Sequence, residues 1–167
     1  MTATFDDNTE QFIRSVASDL LGYFARRVSP AEDAADCLSE TLLVLWRRRD
    51  RLPIEHDQRR AWSFGIARNV LNAHRRTAAK RLAITERLRT ELRQHPIAPA
   101  SDDDRAITAL ASLSRRDQEL ICLIAWEGFG VAEAGAVLGL RADAARARYS
   151  RARRRLRAEL NERPSVR

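Results

Sequence analysis

The sequence predicts an all-α protein made of two small helical domains joined by a flexible linker, with the C-terminal domain a helix-turn-helix. Glycine and proline are scarce, at 6 and 5 of 167 residues. Apolar residues recur at helical rather than alternating spacing, and the composition changes sharply at Gln94. With 44% hydrophobic and 32% charged residues, the chain has the composition of a folded protein that is neither disordered nor membrane-like.

The first two helices are predicted from an apolar stripe and a start signal. The first helix ends in the basic pair Arg26 and Arg27. Ser29 is then positioned to cap a second helix, with Pro30 in its first turn and Glu32 completing a capping box. The stripe of the first helix consists of Phe12, Val16, Leu20 and Phe24.

The second and third helices complete the N-terminal domain. The second has Leu38, Leu42, Leu45 and Trp46 on its apolar side and breaks up over residues 47–53. Asp57 is the expected cap of a long third helix. Its predicted buried stripe is Trp62, Ile66, Val70 and Ala73, and its basic residues are Arg68, Arg75, Arg76, Lys80 and Arg81.

A linker is predicted between the two domains. From Gln94 the chain has two prolines, no aromatic residue and the acidic run 102–104, a composition typical of a solvated spacer. We therefore expect an N-terminal domain at 1–83, a linker at 84–103 and a C-terminal domain at 104–167.

The C-terminal domain contains three periodic segments, at 114–126, 131–138 and 143–160, with glycine-containing joints at 127–130 and 139–141. Two short helices around a glycine turn, the second of them strongly basic, are typical of a DNA-binding helix-turn-helix.

The last helix has an apolar side and an arginine side. At about 100° per residue, Ala145, Tyr149, Ala152 and Leu156 lie opposite Arg146, Ser150, Arg153, Arg154 and Arg157. Such a helix fits the major groove of DNA, and its N-terminal residues lie closest to the bases. Arg146 is the best candidate for a base contact, with Arg151 beside it. A solvated basic face or an RNA-binding tail is the alternative from this pattern alone.

The overall charge and the reactive residues limit the function classes. A net charge of +7 favours a polyanionic partner, although the use of arginine for every basic residue but Lys80 is also explained by codon bias. Cys37 and Cys122 lie in apolar stretches and are expected to be buried thiols. His56, His74 and His95 are scattered, so we expect no metal site, and we expect no cofactor, catalytic residue, export signal or membrane insertion.

Both halves resemble extracytoplasmic-function sigma factors of bacterial RNA polymerase. In the C-terminal half, the residues carrying the resemblance are Glu127-Gly128-Phe129, Glu133, Leu138-Gly139-Leu140, and Arg146 through Leu156. They are similar to the domain that reads the minus-35 promoter element. The resemblance implies DNA contacts by Arg146, Arg148, Ser150, Arg151, Arg153 and Arg154.

The N-terminal half resembles the other domain of the same family. Residues 32–46 are similar to the helix that docks on the polymerase clamp, and residues 61–69 to the segment that opens the minus-10 element. The resemblance implies polymerase contacts by Asp33, Asp36, Glu40 and Trp46. It implies contacts with the exposed nontemplate strand by Arg68, Asn69, Asn72, Arg75 and Arg76.

The chain departs from the family pattern at several positions. Gly130, Val131 and Ala132 replace the usual serine, aromatic and acidic residues at the start of the first helix of the motif. Asp143-Ala144 replaces the usual Gly-Thr, and Asp143 is expected to cap the last helix while repelling nearby phosphates. These changes indicate an unusual promoter preference.

The family likeness implies a promoter-recognition subunit with no chemistry of its own, acting in the cytoplasm and associated with the nucleoid when bound to polymerase. Its implied partners are the core polymerase, through the beta-prime clamp and the beta flap, promoter DNA and an anti-sigma factor. A stand-alone helix-turn-helix regulator, a basic RNA-binding protein and a protein-interaction module are the alternatives. The regulator would leave the clamp-like helix unexplained.

Overall fold

The computed structural model describes residues 2–89 and 102–161, and side chains over 8–81 and 106–161. These residues form helices and contain no strand, which confirms the all-α prediction. The chain divides into an N-terminal unit, 1–93, and a C-terminal unit, 94–167.

The N-terminal unit is built from three α-helices and one short 3-10 turn. They are α1 (Thr2–Ala25), α2 (Ala31–Arg47), the 3-10 turn (Arg49–Arg51) and α3 (His56–Arg89). Each α-helix packs on the other two. The predicted stripe of α1 is confirmed, because Phe12, Val16, Leu20 and Phe24 are all buried.

Aromatic rings form the centre of this core. Tyr23 meets Phe24 and Phe64 edge to face, with ring centroids 5.3 and 5.4 Å apart. That geometry suits the charge distribution of aromatic rings. The Arg27 guanidinium lies 4.0 Å from the centre of the Tyr23 ring and closes this end of the core.

The start and the buried side of α2 differ from the prediction. The residue that caps the helix is Pro30 and not Ser29, and it makes no side-chain hydrogen bond. Glu32 is then the second residue of the helix, one residue before the position that a capping box requires. The buried residues of α2 are Ala34, Cys37, Thr41 and Leu45. Of the predicted apolar side only Leu45 is fully buried, and Trp46 is 42% exposed because it lies about 100° around the helix from Leu45.

The third helix also begins earlier than expected. The Glu55 carbonyl accepts a hydrogen bond from the Arg59 amide at 3.0 Å, so Asp57 lies inside the first turn and is not the cap. Ile66 and Val70 of the predicted stripe are buried, together with Phe64 and Leu71. Trp62 and Ala73 are half-buried.

The C-terminal unit contains α4 (Asp102–Ala111), α5 (Arg115–Ala125), α6 (Val131–Val137) and α7 (Ala142–Asn161). The last three confirm the predicted segments, and α4 was not predicted. Helix α4 is only 10 residues long. It packs on α5 and α7 and contributes Ala109 to the core. Residues at both ends of the predicted linker, 84–89 and 102–103, are helical, and the rest of that linker lies outside the described residues.

Candidate nucleic-acid and polymerase interfaces

A tight crossing of α6 and α7 creates the helix-turn-helix. A Cβ atom added to Gly135 would lie 2.5 Å from the Cβ of Ala145, well inside the usual 3.5–4.0 Å separation of carbon atoms. Gly139 in the turn has a φ of +66°, a left-handed conformation that glycine adopts without steric cost. Two small residues and one glycine therefore set the angle of α7 relative to α6.

The exposed side of α7 is basic. Ala145 and Ala152 are buried and Tyr149 and Leu156 half-buried, which confirms the predicted apolar side. The opposite side, here called the arginine stripe, is exposed along the helix. It consists of Arg146, Ser150, Arg153, Arg154 and Arg157.

Arg148 differs from its neighbours on α7 because it points at α5. Its Nη1 donates to Asp117 Oδ1 at 2.7 Å, and the two side chains are only 30% and 22% exposed. Asp117 Oδ2 also accepts from the Ser114 hydroxyl at 2.6 Å. The Arg148 side chain thus ties α7 to the first turn of α5.

Asp117 is held in its charged form by these partners. Burial raises the pKa of Asp117, but the hydrogen bonds from Ser114 and Arg148 and the positive charges of Arg148 and Arg151 outweigh burial. The net effect is a pKa below the ordinary value of 3.8. One residue earlier, Arg116 donates to the Leu138 carbonyl at 2.9 Å, so the first turn of α5 holds both α7 and the turn before it.

The start of α6 compensates for its unusual cap residue. Gly130 has no side chain to cap the helix, but Glu133 Oε2 accepts a hydrogen bond from the Gly130 amide at 2.7 Å. Half of a capping box therefore remains.

The predicted strand-contacting residues share one side of α3. Asn69, Asn72, Arg75 and Arg76 follow Arg68 by one, four, seven and eight residues, which places all five within about one third of the helix circumference. Asn69 and Arg76 are exposed, and Arg68, Asn72 and Arg75 are half-buried. Asn69 also lines a surface groove between α2 and α3 together with Glu40, Val44, Arg48, Ile66, Val70 and Ala73.

The predicted polymerase-contacting residues are arranged on α2. Asp36, Glu40 and Trp46 are exposed, and Asp33 is half-buried with its Oδ2 3.6 Å from His74 Nε2. Arg49 stacks over Trp46 at 5.0 Å. Burial raises the pKa of the Cys37 thiol, and the neighbouring charges of Glu40, Asp33 and Asp36 add to that rise. The part of α2 that carries Asp33, Asp36 and Glu40 is therefore acidic.

Exposed apolar residues near these positions were missed by the sequence reasoning. Leu43 and Ile54 are both exposed. Leu43 lies three residues from Glu40 and from Trp46. Leu43 does not share the helical spacing of the buried residues Ala34, Cys37, Thr41 and Leu45. An apolar residue on the exposed side of a helix is the sequence signal that could have identified it.

Two other kinds of site are absent from residues 2–89 and 102–161. No cluster of three or more His, Cys, Asp or Glu side chains in these ranges could hold a metal ion. None of the described helices is long and apolar enough to cross a membrane.

Comparisons with known families match both units. The Sigma-70 region 2 profile matches residues 12–81, and the Sigma-70 region 4 profile matches residues 103–156. A two-unit helical chain with these regions is a sigma factor, which directs RNA polymerase in transcription initiation.

Individual relatives point to the same class of protein as the family profiles. The chain is 30% identical over 150 residues to the ECF RNA polymerase sigma factor SigL of Mycobacterium tuberculosis strain H37Rv, covering 87% of this chain and 85% of SigL. The same figures hold for SigL of the Erdman strain. This chain belongs to the extracytoplasmic-function family of sigma factors.

Two solved structures share the fold. The sigma factor RpoE of Bartonella quintana, in complex with the anti-sigma factor NepR, matches with a TM-score of 0.60 and 25% identity, covering 94% of this chain and 96% of RpoE. CnrH, in complex with the cytosolic domain of CnrY, matches with a TM-score of 0.62 and 26% identity, covering 95% and 91% of the two chains.

Proposed function

We propose that this sigma factor reads the minus-35 element with α7, opens the minus-10 element with α3, and docks on the polymerase clamp through α2. The observation that carries the proposal is the exposed arginine stripe of α7, presented by a tight helix-turn-helix. The acidic and partly apolar surface of α2 supports the proposed docking on the polymerase clamp.

At the upstream element, Arg146 reads a base edge from the N-terminal half of α7. Ser150 continues the contact, and Arg153 and Arg154 follow toward the C-terminus, where they hold phosphates. Phosphate contacts position a protein on DNA, while base contacts specify the sequence. Arg151 contacts the backbone from the neighbouring flank of the helix.

Arg148 has a positioning role in this proposal. Its guanidinium is engaged with Asp117 at 2.7 Å, so it holds α7 against α5 while the stripe binds DNA. The rest of the C-terminal unit contacts the beta flap of the polymerase, as the family likeness suggests.

At the downstream element, Arg68, Arg75 and Arg76 hold the backbone of the exposed nontemplate strand. Asn69 and Asn72 read unstacked base edges, because amides offer both donors and acceptors. Weak contacts of the two units add through effective concentration, because a linker of limited length joins them.

Docking on the polymerase uses charge and apolar contact together. Asp36 and Glu40 attract a basic surface of the beta-prime clamp, and Trp46 and Leu43 bury apolar area against it. Asp33 supports α2 from its contact with His74. An acidic patch speeds association with a basic partner and disfavours binding to partners of like charge.

An anti-sigma factor is the proposed regulator, since the similar RpoE and CnrH chains were solved with NepR and CnrY. The chain supplies no chemistry, and phosphodiester synthesis belongs to the polymerase. We place the protein in the cytoplasm, at the nucleoid when it is bound to polymerase.

Run-off transcription with purified core polymerase tests this function. Promoter-dependent initiation that requires both the chain and the core enzyme is the expected result. A specific shift of duplex DNA by the chain alone, without any gain of initiation by the core enzyme, would favour a stand-alone regulator instead.

A further inference from the structure

We propose that Asp143 sets a cytosine preference in the upstream element, by accepting a hydrogen bond from the exocyclic amino group of that base. The inference rests on the proposed reading of DNA by α7. It concerns a residue that stands where the family usually has glycine.

The position of Asp143 on α7 is the first argument. It is the second residue of the helix, so the prediction that Asp143 caps α7 is wrong, because the Arg141 carbonyl already accepts from the Ala145 amide at 2.9 Å. Spacings of three, seven and eleven residues put Arg146, Ser150 and Arg154 on the same side as Asp143. Asp143 therefore begins the arginine stripe at the end that enters the major groove in a helix-turn-helix. It introduces one carboxylate into an otherwise basic surface.

The second argument is reach. The Asp143 side chain is 70% exposed. Ala147, which lies on the same side one turn later, is too short to compete for the same base. Within the first two turns of α7, Asp143 and Arg146 are thus the polar side chains that this side of the helix offers to base edges.

The carboxylate keeps capacity for another hydrogen bond. Oδ1 accepts from the Ala144 amide at 2.9 Å, and Oδ2 lies 3.4 Å from Arg141 Nη2. A carboxylate has about four acceptor positions. The pair with Arg141, which is itself largely exposed, contributes little and does not withhold Asp143 from DNA.

Base chemistry then decides the preference. Cytosine presents its N4 amino donor in the major groove, guanine presents two acceptors, and adenine places an acceptor beside its amino group. Phosphates repel the carboxylate on every sequence. Cytosine offsets that cost best, because its N4 donor has no acceptor beside it on the same base, whereas the N6 donor of adenine lies next to the N7 acceptor. Specificity of this kind works by penalising the other bases.

The test uses the full chain with core polymerase on promoters whose upstream element is randomised. We expect wild type to enrich cytosine at one position by about fivefold or more. Asp143→Ala should abolish that enrichment and leave the other positions unchanged. Asp143→Asn should move the preference toward adenine, which asparagine pairs with.

Glu159→Ala is the matched control, because it removes an exposed carboxylate from the far end of the same helix. It should keep the cytosine enrichment. Thermal unfolding of each variant checks that α7 remains folded.

Two results would overturn the inference. One is a wild-type preference without cytosine at any position, and the other is an Asp143→Ala variant that gains the same factor on every sequence. A holoenzyme that selects no upstream sequence at all would instead reject the proposed reading of DNA by α7, and so the two failures are distinguishable.

Discussion

Gly135 and Ala145 touch where α6 crosses α7, and the contact leaves no room for a second methyl group. The virtual Cβ of Gly135 is 2.5 Å from the Cβ of Ala145. Both residues are fully buried and lie within helices, so neither backbone can move away without shifting a whole element. The crossing angle of the motif therefore depends on this pair.

Gly135→Ala should destabilise the C-terminal unit. Overpacking of a core costs about 1–3 kcal/mol, while replacing a helical glycine by alanine recovers about 1 kcal/mol of helix propensity. The cost of the clash exceeds the gain in helix propensity as long as the Ala145 methyl group is present. In an Ala145→Gly background the same substitution should therefore become stabilising, by about 1 kcal/mol.

Hydrogen exchange of the α6 and α7 amides in the full chain measures both effects in a double-mutant cycle. An equal cost of Gly135→Ala in both backgrounds would show that the Cβ contact is not the cause.

Loss of the ion pair between Asp117 and Arg148 should loosen the packing of α7 on α5. Hydrogen bonds to charged groups contribute about 1.5–3 kcal/mol when protected, and exposed pairs about 0.2–1 kcal/mol. For this partly exposed pair we expect Asp117→Ala to cost about 1–2 kcal/mol. Adding Arg148→Met should cost little more, because the partner is already gone.

The same pair predicts an acid dependence. Because the folded pKa of Asp117 is lowered, its stabilisation is fully present above the unfolded value near 3.8 and is lost as pH falls through the folded pKa. Asp117→Asn should flatten the stability profile in that acid range and leave its shape unchanged near neutral pH. Denaturant unfolding at a series of pH values measures this, and an unchanged acid slope would contradict it.

Arg146→Ala should weaken the holoenzyme at the upstream element by about 1–3 kcal/mol, and unequally among sequences, if Arg146 reads a base. Arg155→Ala is the control, since Arg155 is exposed on another flank of α7. Initiation rates on promoters with single upstream substitutions give the answer. A loss of the same size on every sequence would identify Arg146 as a phosphate contact alone.

If Glu40 docks on a basic clamp surface as proposed, Glu40→Arg should reduce affinity for core polymerase by about tenfold or more, because it brings like charge to that surface. Glu10→Arg makes the same change of charge at an exposed position of α1 and should have little effect. Titration of labelled core enzyme at two salt concentrations measures both variants. Equal effects of the two substitutions would mean that only net charge matters.

Much of this protein follows from local sequence patterns. The stripe from Phe12 to Phe24, the alternation of Ala145, Tyr149 and Ala152 with arginines, and the glycine at 139 each predict an element or its exposed side. These features follow from helical geometry alone, in which the side of a residue depends only on its neighbours within a few turns. They determined the all-α class, the helix-turn-helix and the basic side of α7.

Tertiary structure decided which side of a helix is buried and which charged residues form ion pairs. On α2 the core took Ala34, Cys37 and Thr41, which are less apolar than the leucines beside them, because packing against α1 and α3 selects residues by position and volume. The Asp117 to Arg148 bond spans 31 residues, and the Gly135 to Ala145 contact needs two helices to cross. Helical periodicity carries no information about either pairing, since both depend on how separate elements pack in space.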